Sequence, residues 1–391
     1  MPIANRRSIP MRITAVDTFI MWGEPRNWVF VKISTDEPEL YGWGEATLEG
    51  KDATVRTCIG QLGETLIGKD PLETERLWQS LYRDGFWKGG VVINTAISGI
   101  DQALWDIKGK HYGAPVYHLL GGPARDRIRL YTHVGIYEAD RIAREAAQLV
   151  GAGFTALKTG AWATDEPMGD HQAAALLGER IAILRQAVGR DVDLMIDNHG
   201  RSRPAQAVRQ LHAVKDSRIT FFEEPVPPDN IEAFRPVRET ARELGIDLAT
   251  GERYFTKWQF APLLAGQYVD VIQPDLCHAG GITEVKKIAA LAEVHHVLVA
   301  PHNPMGPVST AAAAHIGMSV PNYLTLEYVS SQPYRDRVVK EPWQIKDGYL
   351  HVPERPGLGV DLDEDVIAAN PPRSFYYFKN LRDDTGAVID I

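Results

Sequence analysis

Cysteine is nearly missing: Cys58 and Cys277 are the only two in 391 residues. Two thiols cannot staple a chain of this length, so a disulfide framework is excluded and a reducing, cytoplasmic setting is expected. A basic surplus is missing as well. Lys and Arg number 42 against 51 Asp and Glu, a formal charge of −9, whereas nucleic-acid binders carry the opposite balance. No apolar run approaches the roughly 18 residues of a membrane span. The first residues, with Arg6 and Arg7, are not followed by the apolar core of a secretory signal. Neither a membrane nor a nucleic-acid partner is therefore expected. Also missing are a P-loop, C-x-x-C, H-E-x-x-H, G-x-S-x-G and the G-x-G-x-x-G dinucleotide fingerprint, which leaves serine, cysteine and zinc hydrolase chemistry without support. At 44% hydrophobic and 24% charged residues, the chain has the composition of an ordinary globular enzyme.

What is present falls into two rhythms. From about 11 to 50, short alternating runs (Met11–Val16, Trp28–Ile33, Tyr41–Glu45) separated by Gly, Pro and acidic turns read as an antiparallel meander. A helical stretch follows, with Ile97, Ile100, Leu104 and Ile107 on one face and small Ala96, Ser98 and Gly99 allowing a close neighbour. After about residue 128, eight short apolar runs recur, all but the seventh ending in a polar residue: Leu130–His133, Ala156–Lys158, Leu194–Asp197, Thr220–Glu223, Asp247–Thr250, Val269–Gln273, Val297–Ala300 and Leu324–Glu327. Eight strands, each followed by a helical stretch, predict a closed parallel barrel. The fold expected is α/β, a modified eight-stranded β/α barrel with an α+β capping domain. Its divisions are 1–128 for the cap, 129–340 for the barrel and 341–391 for a Pro-rich, irregular segment packing back on the cap.

Strand ends in such a barrel converge on one mouth. Asp197, Glu223 and Glu252 fall at or just after three successive strand ends. One such acid commonly caps the next helix. Three in register make an oxygen ligand set suited to Mg²⁺, with positions left for water and substrate. Glu224 is expected on the other side of its strand, as a supporting or capping residue. His199, two residues after Asp197, shares the mouth-facing side. His302 and Asp275 end adjacent strands, where an Asp can orient an imidazole and raise its basicity, as a general base requires. Lys158 and Glu327 end the second and last strands. His295 and His296 are assigned to a helix surface, and Gly280-Gly281 to a tight turn at the mouth.

These residues sit in longer motifs: Asp197-Asn-His-Gly-Arg201, Phe222-Glu-Glu-Pro225, Thr250-Gly-Glu-Arg253, Gln273-Pro-Asp275, His278-Ala-Gly-Gly-Ile-Thr283 and Pro301-His302, with Tyr41–Glu45, Tyr82–Gly90 and Gly99–Lys110 in the first half. Together they resemble the enolase superfamily over nearly the whole chain, and within its mandelate racemase-like group the galactonate dehydratase family of acid-sugar dehydratases. The resemblance implies one Mg²⁺ on Asp197, Glu223 and Glu252. It implies His302, oriented by Asp275, as the base that removes the C2 proton of a sugar acid, and His199 as the acid that protonates the departing C3 hydroxyl. Glu327 and Lys158 would flank the carboxylate or enediolate, Glu327 donating a hydrogen bond if protonated. The product would be a 2-keto-3-deoxy acid. Racemases of the group carry Lys-x-Lys on the second strand; here the text is Lys158-Thr-Gly160, which implies a dehydratase limited to 2R acids. The alternative is a cycloisomerase or epimerase on the same metal site, which would not need His199. A homo-oligomer acting on a small sugar acid is expected. The cap loops at about 21–28 and 46–51, which should read the distal end of that acid, show no interpretable pattern.

Overall fold

The computed structural model describes residues 11–374, 380–383 and 385–390. Arg6, Arg7 and the expectation built on them lie outside these, as do residues 375–379, 384 and 391 of the C-terminal segment. The first three strands, β1 (Ile13–Trp22), β2 (Asn27–Thr35) and β3 (Tyr41–Glu45), form the antiparallel meander in the order β1-β2-β3. Helices α1 (Asp52–Glu64), α2 (Thr74–Arg83), α3 (Val91–Tyr112) and the short α4 (Val116–Leu119) follow. On α3 the predicted apolar face is fully buried at Ile97, Ile100, Leu104 and Ile107, each side chain contributing about 2 kcal/mol. The small residues serve as expected: a Cβ on Gly44 would fall 1.9 Å from the Gly99 carbonyl, so β3 and α3 meet backbone to backbone.

Eight parallel strands then close a barrel. They are β4 (Ile128–His133), β5 (Ala156–Gly160), β6 (Asp193–Asp197), β7 (Ile219–Glu223), β8 (Asp247–Thr250), β9 (Val271–Ile272), β10 (Leu298–Val299) and β11 (Leu326–Glu327). Each pairs with the next, Val299 bridges Tyr323 just ahead of β11, and β11 pairs with β4, which seals the ring. Between them run α5 (Ala139–Gly151), α6 (Asp170–Val188), α7 (Pro204–Val214), α8 (Phe234–Leu244), α9 (Thr256–Ala265), α10 (Gly281–Val294) and α11 (Pro307–Ser319). The repeat stops short of the eight units expected. After β11 the chain runs through turns to a hairpin, β12 (Gln344–Lys346) and β13 (Tyr349–His351), and β13 pairs antiparallel with the start of β4. The C-terminal segment is thus less irregular than its prolines suggest, and it also holds α12 (Glu364–Ala369). Its Asp361 accepts hydrogen bonds from Tyr41 Oη and Trp43 Nε1, and Asn370 accepts one from the Trp22 backbone. Among the described residues no helix is long and apolar enough to cross a membrane.

One polar face of α3 ties the first helices to the barrel. Thr95 Oγ1 lies 2.9 Å from His278 Nδ1, Ser98 Oγ accepts the Gly280 N–H, Asp101 accepts from Thr283 N and Oγ1, and Gln102 donates to the Leu276 carbonyl. The i, i+3, i+6, i+7 spacing puts all four on one side of the helix. They hold the loop from Asp275 to Thr283, where Gly280 (φ 110°) and Gly281 (φ 72°) make the expected tight turn.

Candidate active site

The site follows from strand alternation. Tyr131, Ala156, Met195, Phe221, Ala249, Val271 and Ala300 fill the barrel interior as one buried cluster. Side chains two residues further along a strand point the same way, one layer higher. That layer is His133, Lys158, Asp197, Glu223, Gln273 and His302. On β8 the alternating position is Gly251, at φ 150°, where a Cβ would lie 2.5 Å from the Gln273 backbone nitrogen; the chain turns there, and the next residue, Glu252, supplies the carboxylate. Polar strand ends above an apolar plug are the pattern of a barrel mouth.

Carboxylate oxygens of Asp197, Glu223 and Glu252 all lie within 4.8 Å of one another. Lys158 Nζ sits against the group, 3.2 Å from Asp197 Oδ2, 2.9 Å from Glu223 Oε2 and 3.2 Å from Glu327 Oε1. Burial disfavours its charge, but the surrounding acids hold its pKa well above the usual lysine value. Asp197 is also buried, yet His199 and Lys158 keep it well below the usual range. The other two acids move the opposite way. Burial and the neighbouring carboxylates push Glu223 well up and Glu252 to about 8. Glu223 Oε1 and Glu252 Oε2 are buried without hydrogen-bond partners. Three crowded oxygen donors that repel one another, two of them with unfilled acceptors, fit a small hard cation.

Two histidines flank this cluster with different supports. His302 Nδ1 lies 2.7 Å from Asp275 Oδ2, and its Nε2 faces Glu252 Oε2 at 3.5 Å. Burial works against its charge, while Glu252 and the Asp275 hydrogen bond raise its pKa well above the usual value. Asp275 is itself fully buried, yet His278 and His302 keep its pKa low. His199 Nε2 lies 3.1 Å from Asp197 Oδ2, and this carboxylate raises the pKa of the ring. The same aspartate accepts the His199 backbone N–H at 2.9 Å, stabilising a left-handed backbone (φ 52°) that a histidine adopts at some cost.

A cavity of about 430 Å³ opens above these groups; Lys158, Asp197, His199, Glu252, His302 and Glu327 all line it. Glu223 is fully buried beside Lys158, and Asp275 stands behind His302. Glu224 departs from expectation: it too lines the cavity, because a left-handed φ of 38° breaks the strand alternation there. It accepts a two-pronged bond from Arg253, which also donates to the His199 carbonyl. Glu327 is the residue that the resemblance makes a hydrogen-bond donor if protonated. It accepts from the Asn303 N–H at 2.7 Å and lies 2.6 Å from His133 Nε2. Burial opposes its ionisation, but Lys158 and His133 hold its pKa well below the usual range. His295 and His296 fall just past the end of α10 rather than on it. Two cavity histidines went unassigned from sequence. His133 ends the first barrel strand, where the polar-end pattern already marks it; His278 sits on a loop, with no periodicity to signal it.

Comparison with known proteins agrees with this geometry. Residues 5–121 match the mandelate racemase / muconate lactonizing enzyme N-terminal domain, and residues 141–366 the enolase C-terminal domain-like family. A D-galactonate dehydratase of Variovorax paradoxus is 39% identical over 93% of this chain and 96% of its own length. One of Ralstonia nicotianae is 40% identical over 91% and 94%. Among solved structures, an enolase from Pantoea ananatis with bound D-gluconate and Mg superposes with a TM-score of 0.91 at 31% identity, covering 97% of this chain and 99% of that one. A putative galactarate dehydratase from Agrobacterium radiobacter, bound to Na and L-malate, gives 0.89 at 32% identity, covering 96% and 99%. Matched along both halves by sequence and by fold, the chain belongs to the mandelate racemase/muconate lactonizing enzyme family of the enolase superfamily.

Proposed function

We propose that this protein is a Mg²⁺-dependent sugar-acid dehydratase acting on D-galactonate or a similar 2R aldonate. The observation that carries the reading is the pair of differently supported histidines beside one carboxylate cluster in one cavity. Its relatives carry the matching name, and a neighbour binds D-gluconate and Mg. Asp197, Glu223 and Glu252 would hold the cation, which supplies Lewis-acid stabilisation of the negative charge that builds on the substrate carboxylate when the C2 proton leaves.

The chain's own groups do the rest. His302 gives its Nδ1 hydrogen to Asp275, which leaves Nε2 to take the C2 proton. The base acts in its neutral form, and Glu252, the charge that most raises its pKa, is one of the three acids a cation would neutralise. His199, whose protonated form Asp197 favours, gives its proton to the C3 hydroxyl, which leaves as water. The enol that remains tautomerises to a 2-keto-3-deoxy acid. Lys158 holds Asp197, Glu223 and Glu327 together, and Lys158 and Glu327 flank the substrate carboxylate or enediolate, Glu327 donating a hydrogen bond if protonated. Gly160 offers no base on the second strand, so 2S acids should not react. Our reading keeps the divisions 1–128, 129–340 and 341–391, a cytoplasmic site of action supported by two unpaired cysteines, and a homo-oligomer. The test is incubation of purified protein and Mg²⁺ with a panel of 2R and 2S sugar acids, assayed for 2-keto acid. Turnover restricted to 2R aldonates supports the reading; efficient turnover of a 2S acid, or none of any acid, contradicts it.

A further inference from the structure

Above the catalytic layer the described residues of the first 128 contribute four groups to the cavity wall: Arg26, Leu48, Glu49 and Val91. Only Arg26 and Glu49 are charged, and they form a salt bridge with each other, with side chains 16% and 21% exposed. They come from separate loops, one before β2 and one after β3. The Arg26 loop is pinned from behind, since Asn27 donates to Asp52 and exchanges two hydrogen bonds with the Arg373 backbone. The guanidinium retains a buried Nε with no partner.

We infer that the Arg26–Glu49 pair selects sugar acids with an uncharged distal end over those with a carboxylate at both ends. The inference rests on the dehydratase reading and deepens it. The substrate's first carboxylate belongs with the cation site and catalytic groups on the barrel floor, so its far end extends towards the cap. There a hydroxylated tail finds a donor in the guanidinium and an acceptor in the carboxylate. A second carboxylate finds a different setting. Among the described residues the one cap-side cation on the cavity, Arg26, is already neutralised, and Glu49 stands beside it as a like charge in a partly desolvated wall. Discrimination by such a repulsive element is how closely related ligands are told apart when shape alone cannot do so. A free arginine at this place would instead favour the doubly charged acid.

The experiment uses two matched pairs, D-galactonate with galactarate and D-gluconate with D-glucarate. Members of each pair differ at C6, a hydroxymethyl in one and a carboxylate in the other. Steady-state kinetics with saturating Mg²⁺ should show wild-type protein favouring the aldonate of each pair. Glu49→Gln, which frees the guanidinium, should shift the kcat/KM ratio towards the dicarboxylate by about tenfold or more, chiefly through its KM. Arg26→Gln should shift the ratio the other way, and it decides the matter if Glu49→Gln does not fold. A wild type that prefers the dicarboxylates overturns the inference and leaves the dehydratase reading standing. So do variants that change both substrates of a pair equally. A wild type that dehydrates none of the four acids overturns both.

Discussion

At the scale of single residues the acid cluster gives the sharpest expectations. Glu223 is fully buried, and burial with its neighbours pushes its pKa well up. A neutral isostere should therefore be tolerated by the fold but not by the chemistry. Glu223→Gln should keep the melting temperature of the metal-free protein while turnover falls by about 10³-fold or more, given the electrostatic share of such catalysis. Thermal melts and a keto-acid assay check the two halves; a variant with wild-type activity would remove Glu223 from the site. Most of this cluster is legible in sequence because each member lies at or just after the end of a strand. Glu224 and Glu327 mark the limit. Which way Glu224 faces depends on one left-handed dihedral, and the partners of Glu327, Lys158 and His133, arrive from other strands.

At the scale of elements, six of the eight barrel strands are readable because an apolar plug residue and a polar mouth residue recur two positions apart. The missing eighth helix is not, since a break in a repeat leaves no positive signal. The hairpin replacing it did carry one: Asp347-Gly348, at φ 52° and 73°, is the two-residue turn that joins tightly twisted strands. Helix α11 carries a pH-dependent contribution to stability. His315, fully buried, accepts the Tyr117 N–H at Nδ1, so Nε2 carries the hydrogen donated to the Leu358 carbonyl. Burial lowers its pKa to about 4. The unfolded chain, with histidine near 6.5, binds the extra proton between those values, so this stabilisation is full above about pH 6.5 and is lost as pH falls towards 4. Denaturant titrations of His315→Gln should show a flatter fall over that window, by at most about 3 kcal/mol; identical pH slopes for variant and wild type would contradict the assignment. Gly251→Ala tests the turn that delivers Glu252. With its Cβ against the Gln273 backbone, the variant should lose both stability and Mg²⁺ affinity, and a variant with unchanged metal titration and melting would argue against that role.

For the whole molecule, the cap and the barrel meet over polar contacts between α3 and the Asp275–Thr283 loop, and the cation site lies at the end of the barrel facing them. A ligand that binds only the folded state stabilises it by mass action, by about 2.7 kcal/mol at a hundredfold excess over Kd. Mg²⁺ should therefore raise the melting temperature of wild type, a chelator should reverse the rise, and Glu223→Gln should show little of it. A wild-type melting temperature indifferent to Mg²⁺ would contradict the cation site. Strand ends told from sequence where the mouth is; they did not tell what roofs it. The Arg26–Glu49 contact joins two loops whose own sequences show no pattern.

The division of labour between the two histidines is the centre of the account. Removal of the C2 proton needs His302 and charge stabilisation on the substrate carboxylate. Loss of the C3 hydroxyl needs a proton as well, and general acid help of this kind is worth about 10²–10⁴-fold. The direct measurement is NMR of a 2R aldonate in D₂O with saturating Mg²⁺ and each variant in turn. His199→Asn should lose dehydration yet exchange the C2 proton slowly with solvent, and His302→Asn should lose both. Dehydration by His199→Asn at the wild-type rate, or C2 exchange by His302→Asn, would contradict it.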